Sequence, residues 1–173
     1  MNVKQALDEL DALVHQREAA EALLICGGAS LILQGVISRD TQDVDVLHPV
    51  IDPILTDDIT AVAKSLEIST DWVNNGPISL INELPMGWQD RTIPVYQGKA
   101  LTVTSLGRHE MILTKAFAFC DRGRDREDLL KLNVTPDELA SARLWVQDRD
   151  ANPQWPEWVR DQLTQFAKEA GHE

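Results

Sequence analysis

The sequence predicts an α/β (or α+β) fold in which a small sheet, flanked by helices, is followed by a helical C-terminal cap. Helical and strand-like patterns alternate in the N-terminal part of the chain, whereas only helical patterns follow residue 106. The 173 residues suffice for one domain with a real core, and 43% hydrophobic with 25% charged residues is ordinary globular composition. These observations exclude collagen-like, coiled-coil and wholly disordered chains.

The N-terminal part begins with an amphipathic helix and continues as strand, glycine turn, helix and strand. The apolar run 23–26 predicts a short strand, Gly27-Gly28 a tight turn, and residues 30–34 a helix. Alternation in residues 43–47 predicts the next strand. The first helix is predicted by apolar residues that share one helical face, namely Leu7, Leu10, Leu13 and Val14.

The middle of the chain is expected to hold one helix and three further strands. Residues 54–66 have the helical period, and the strands are predicted at 78–81, 91–96 and 100–106. Because Pro94 cannot donate a ladder hydrogen bond, the second of these strands should lie at a sheet edge.

The C-terminal part is predicted to be helical. A helical pattern begins at Arg108, the dense charge run 121–131 follows it, and two final helices are expected at 136–148 and 157–170. Thr135-Pro136-Asp137-Glu138 predicts a capping box at the start of the first of these two helices. We expect a core domain at 1–135 and a C-terminal helical extension at 136–173.

Charge and apolar patterning narrow the possible partners. The formal net charge is −12, and such an acidic surface repels phosphate backbones, so nucleic acid is an improbable partner unless a local basic patch overcomes the field. The longest apolar stretch, at 22–26, is far too short for a membrane span, and no secretory signal is recognisable. With Cys26 and Cys120 expected as reduced, buried thiols, the predicted location is the cytoplasm.

The first chemically suggestive feature is the glycine turn together with Asp43-Val44-Asp45. Period-two alternation places both carboxylates on one strand face, where they repel each other unless a divalent cation lies between them. Two glycines allow a triphosphate to approach the backbone, and Ser30 could add a hydroxyl donor. Taken separately, each half of the motif has a simpler explanation: Gly27-Gly28 could be an ordinary turn, and Asp43 and Asp45 could lie on a solvated strand face.

In this order and spacing, the motif resembles the DNA polymerase β-like nucleotidyltransferase superfamily. The resemblance, which covers about residues 20–135, implies a nucleotidyltransferase-like core with a small mixed sheet. It also implies that the chain binds a nucleoside triphosphate with Mg²⁺ (or Mn²⁺) and transfers a nucleoside monophosphate to an acceptor. The residues that it implicates in nucleotide binding are Gly27, Gly28 and Ser30, and the metal ligands and catalytic carboxylates are Asp43 and Asp45.

A second segment, 113–129, is similar to a helical motif of nucleotidyltransferase-like proteins from abortive-infection and toxin–antitoxin systems. The resemblance implies that Lys115 reaches the nucleotide phosphates and that Asp125 or Asp128 supports the site. From the residues alone, Lys115 either extends to solvent or has an anionic partner, because its neighbours are apolar. Asp125 and Asp128 lie three apart and share a helical face, which a solvated, salt-bridged surface would also explain.

One departure from the superfamily leaves two functions open. Active members usually carry a third carboxylate on a later strand, but residues 91–96 and 100–106 contain no acid. The leading hypothesis is a nucleotidyltransferase whose acceptor is a protein, a small molecule or RNA, the acidity favouring a protein side chain or a cationic small molecule. The alternative is a catalytically silent binding module that works with a partner protein, such as one component of a toxin–antitoxin or other two-gene system.

Overall fold

The structure is a computed structural model that describes residues 1–172. Its backbone divides into two compact units, one from Met1 to Gly107 and one that begins at Arg108. The described residues form seven α-helices and a five-stranded mixed sheet, which confirms the predicted fold class. None of the helices in residues 1–172 combines the length and apolar character that a bilayer crossing requires.

The N-terminal unit contains the sheet, whose strand order is β3-β2-β1-β5-β4. Strand β1 runs antiparallel to β2 and parallel to β5, while β3 is parallel to β2 and β4 is antiparallel to β5. Pro94 lies in β4 at one edge, as predicted. The strands are β1 (Glu21–Cys26), β2 (Val44–His48), β3 (Val73–Asn74), β4 (Ile93–Gln97) and β5 (Leu101–Ser105).

Three helices of this unit, α1 (Val3–Gln16), α2 (Gly27–Leu33) and α3 (Pro53–Leu66), share one apolar core with the strands. The indole of Trp72 is completely buried in this core, and its N–H donates to the carbonyl oxygen of Ile59 at 3.0 Å. The order strand, helix, strand that the apolar patterns predict is found as β1, α2 and β2.

The C-terminal unit consists of α4 (Arg108–Arg122), α5 (Arg126–Lys131), α6 (Pro136–Gln147) and α7 (Trp155–Glu169). Helix α6 begins with the predicted capping box: the hydroxyl of Thr135 accepts from the amide of Glu138, whose carboxylate accepts from the amide of Thr135. Arg108 also pairs with Glu138 and lowers the pKa of that carboxyl to about 2. The predicted charge run is split, because α4 ends before Gly123 and α5 starts at Arg126.

The strand predicted at 78–81 is wrong. Residues Ile78–Asn82 form a 3₁₀-helix, with amide-to-carbonyl hydrogen bonds from Leu80 to Pro77 and from Glu83 to Leu80. The short apolar run after Asn75-Gly76-Pro77 is compatible with either structure, since so few residues define no period. The strand in this part of the chain is instead Val73–Asn74, which lies upstream of the turn and pairs with β2 on the side opposite β1.

Asp11 provides a test of stability in the N-terminal unit. Its carboxylate is buried and accepts hydrogen bonds from the amides of Lys99, Ala100 and Leu101 at 3.0, 2.8 and 2.7 Å. Burial alone would raise the pKa of Asp11, but the three amides outweigh it and hold the pKa below its usual value. The ionised carboxylate therefore stabilises the turn between β4 and β5.

An Asp11→Ala variant should lose about 1–3 kcal/mol of unfolding free energy at neutral pH, because three amides lose their acceptor. Since the folded pKa of Asp11 is lowered, its contribution is present above the unfolded value of about 3.9 and is lost as the pH falls further. Urea denaturation should thus show a smaller difference in unfolding free energy between the native protein and the variant in acid than at pH 7. The exposed Asp57→Ala is the matched control, and an equal loss in both variants would contradict this role.

Candidate functional site

Gly27 and Gly28, predicted as a turn before a helix at 30–34, are the first residues of α2, and this glycine turn brings the backbone against a carboxylate. Gly27 follows the last residue of β1 and has a φ of +75°, and a side-chain carbon at this position would overlap Oδ2 of Asp45. Cys26 pairs in register with Asp45 across the β1–β2 ladder. Only glycine is compatible with both the left-handed backbone and the close carboxylate.

The two aspartates lie at the start of β2. Asp43 immediately precedes the strand, Asp45 is its second residue, and Val44 between them is fully buried. Both aspartates are partly accessible to solvent. The alternation around Val44 was predicted from the sequence, although the strand begins one residue later than expected.

The segment before β2 contributes two polar side chains, Arg39 and Thr41, that are not among the predicted site residues. A side-chain carbon on Gly28 would stand 3.3 Å from Oγ1 of Thr41 and 3.4 Å from Nη2 of Arg39. Thr41 is buried, and its hydroxyl donates to the carbonyl oxygen of Asp43 at 3.3 Å. The position of Arg39 and Thr41 just before the aspartate pair is the signal that could have identified them.

Ser30 lies inside the N-terminal unit. It is fully buried and its hydroxyl is hydrogen-bonded to the hydroxyl of Ser105. The amide nitrogen of Gln34 donates to both hydroxyls, at 3.2 Å to Ser30 and 2.7 Å to Ser105. These contacts tie α2 to the end of β5, and the phosphate contact expected for Ser30 stays a prediction.

Lys115, Asp125 and Asp128 form a cluster in the C-terminal unit. The Nζ atom of Lys115 lies 3.0 Å from Oδ1 of Asp125 and 2.7 Å from Oδ2 of Asp128. The side chains of Lys115 and Asp128 are almost completely buried, whereas Asp125 is partly exposed. Lys115 therefore has anionic partners and does not extend to solvent. Its contact with a phosphate stays a prediction.

The metal ligands predicted from the sequence are Asp43 and Asp45. Residues 1–172 contain no group of three or more His, Cys, Asp or Glu side chains that could hold a metal ion. Two carboxylates are nevertheless compatible with Mg²⁺, which usually retains several waters and takes its other ligands from substrate phosphates. Asp43 and Asp45 thus fit a magnesium ion that arrives with a nucleotide.

The two cysteines are buried side chains rather than accessible thiols. Cys26 and Cys120 are both buried, and burial raises the pKa of the Cys120 thiol to about 12. A thiol with that pKa is almost entirely protonated near pH 7. The Cys120 thiol therefore supplies no nucleophile near neutral pH.

One of three comparisons with known proteins identifies a family for this chain. No curated protein and no solved structure matches the chain significantly. Residues 2–137 match a family described as "Nucleotidyltransferase of unknown function (DUF6036)". The matched range ends near the predicted boundary at residue 135, whereas the backbone divides after Gly107, and the predicted domain limits stay a prediction. Because the match spans most of its length, the chain belongs to this family of nucleotidyltransferases.

Proposed function

We propose that the protein binds a nucleoside triphosphate with Mg²⁺ and transfers a nucleoside monophosphate to an acceptor hydroxyl. The observation that carries the proposal is the placement of the Asp45 carboxylate against Gly27, next to Asp43, in a chain of this family. Only at a glycine can backbone, carboxylate and a bulky phosphate group come so close together.

Each residue of this site has a defined task. The carboxylates of Asp43 and Asp45 would hold the metal, and bare backbone at Gly27 and Gly28 would leave room for the phosphates. Arg39, whose guanidinium lies over Gly28, would donate hydrogen bonds to phosphate oxygens. Mg²⁺, when bound, neutralises charge on the triphosphate and supports in-line attack.

In the transfer, the acceptor oxygen forms a bond to the α-phosphorus while the bond from that phosphorus to the bridging oxygen breaks. Pyrophosphate leaves with the electron pair, and the hydroxyl proton passes to water. Strands β4 and β5 contain no carboxylate that could accept this proton. We therefore expect a slow chemical step compared with an enzyme that has a positioned base.

Calorimetric titration with ATP, GTP, CTP and UTP in the presence of Mg²⁺ tests binding directly. Asp43→Asn and Asp45→Asn should each weaken binding by at least about tenfold, since a metal ligand is lost. Asp57→Asn, an exposed aspartate of α3, is the matched control and should bind like the native protein. Circular dichroism on all variants separates loss of the site from loss of the fold.

Transfer is then measured with α-labelled triphosphates, Mg²⁺ or Mn²⁺ and a cell extract as the source of acceptor. Label that appears on an acceptor and disappears with Asp45→Asn supports the enzyme. The absence of an acid from β4 and β5 motivates the second candidate, a binding module without catalysis. Tight nucleotide binding without transfer would favour that module, and a native protein that binds no nucleotide would overturn the enzyme.

A further inference from the structure

A groove of about 730 Å³ lies in the N-terminal unit, between the start of α1, the last turn of α2, residues 38–40 and strand β4. Its volume is within the range of pockets that hold small organic molecules. None of the residues predicted from the sequence as site residues lines it.

The floor of the groove is apolar and includes one aromatic ring. Ile32, Leu33 and Val95 line it with partly buried side chains. The ring of Tyr96 lies beside them, and its hydroxyl donates to Oδ1 of Asp8 at 2.9 Å, which restrains the orientation of the ring. This surface favours a flat, apolar or aromatic body.

The rim of the groove is positively charged in an otherwise acidic protein. Its lining side chains include two cations, Lys4 and Arg39, against the single carboxylate of Asp40. The chain as a whole has a formal charge of −12. A locally positive surface attracts anionic ligands, whereas the acidic surface around it repels them, so an anion would bind at the groove in preference to other places on the protein.

Arg39 belongs to both the groove and the candidate site. It lines the groove, and its Nη2 atom lies 3.4 Å from the position of a side-chain carbon on Gly28. A ligand whose anionic group meets Arg39 would therefore have that group next to the glycine turn.

We propose that this groove binds an organic anion with an aromatic or apolar body, and that this molecule is the acceptor of the transferred nucleotide. The anion would contact Lys4 and Arg39, and the body would lie on Ile32, Leu33, Val95 and the Tyr96 ring. The acceptor role rests on the proposed function, whereas the anion site does not. An anionic acceptor differs from the sequence-based prediction, in which the overall charge favours a protein side chain or a cationic small molecule.

The anion site is tested with two fluorescent probes of nearly the same shape. 1-Anilinonaphthalene-8-sulfonate carries a sulfonate, and N-phenyl-1-naphthylamine is its neutral counterpart. The native protein should bind the sulfonate more tightly. Lys4→Gln and Arg39→Gln should each lower the affinity for the sulfonate by about tenfold, as expected for the loss of one charge-assisted hydrogen bond. The affinity for the neutral probe should not change.

Lys168→Gln is the matched control, because Lys168 lines a smaller groove of about 280 Å³ between α6 and α7 that has both apolar and cationic residues. Sulfonate affinity that falls with Lys168→Gln but not with Lys4→Gln would overturn the proposal. Equal loss of both probes in Lys4→Gln would also overturn it, because charge would then not be what the groove recognises.

The acceptor role is tested by adding saturating Mg²⁺ and ATP to the sulfonate titration. An acceptor site predicts that both ligands bind together, whereas mutual exclusion would assign the groove to the nucleotide and overturn the acceptor role. Asp45→Asn should weaken the binding of Mg²⁺ and ATP by at least about tenfold and leave the affinity for the sulfonate unchanged. If the native protein binds the sulfonate as predicted but no nucleotide, the proposed function and the acceptor role fail and the anion site stands.

Discussion

A Lys115→Met variant should lose about 3–5 kcal/mol of unfolding free energy, the typical cost of removing one partner from a buried ion pair. The ammonium group is within 3.0 Å of Asp125 and 2.7 Å of Asp128. Methionine keeps the apolar stem but leaves the Asp128 carboxylate, only 3% exposed, without its cation. Urea denaturation followed by tryptophan fluorescence measures the loss.

Two further variants make this expectation decisive. Lys64→Met, at an exposed position of α3, should change stability by less than about 0.5 kcal/mol. The double variant Lys115→Met/Asp128→Leu removes the buried charge on both sides and should recover much of the loss, because apolar replacement of a buried pair is often neutral. A double variant as unstable as Lys115→Met would contradict an electrostatic origin of the effect.

The same cluster limits what Lys115 can offer to a nucleotide. One lysine and two aspartates have a formal charge of −1 together, and both carboxylates are within ion-pair distance of Nζ. These three side chains by themselves therefore do not attract phosphate. The phosphate contact that the family resemblance implies would require an ion pair of Lys115 to open.

Local patterns predicted the parts of the fold that depend on neighbouring residues. The glycine turn after β1, the alternation around Val44 and the Thr135–Glu138 capping box all involve contacts within a few positions. Pro94 was placed at a sheet edge because its missing N–H excludes it from the interior whatever the rest of the chain does.

Contacts between residues far apart in the chain could not be predicted from the sequence. The hydroxyls of Ser30 and Ser105 meet although they are 75 positions apart, and Tyr96 meets Asp8 across 88 positions. Nor does any local pattern specify that Arg39 reaches over Gly28. A single sequence has no signal for such pairings, because side-chain type and spacing define faces and periods but not which faces meet.

Replacing Gly27 by alanine should damage the candidate site more than it damages the fold. A left-handed backbone with a φ of +75° costs a non-glycine residue about 1–2 kcal/mol of stability. The added carbon would in addition overlap the carboxylate of Asp45 and displace it from the glycine turn. Calorimetry with Mg²⁺ and ATP should therefore show a loss of affinity of at least about tenfold.

Gly35→Ala separates the two effects, because Gly35 has nearly the same φ, +74°, and no atom within 4 Å of the added carbon. This control should lose about 1–2 kcal/mol of stability through the backbone alone and bind the nucleotide as the native protein does. If both variants lose stability and affinity to the same extent, then backbone strain explains the result. The contact between Gly27 and Asp45 would in that case have no part in nucleotide binding.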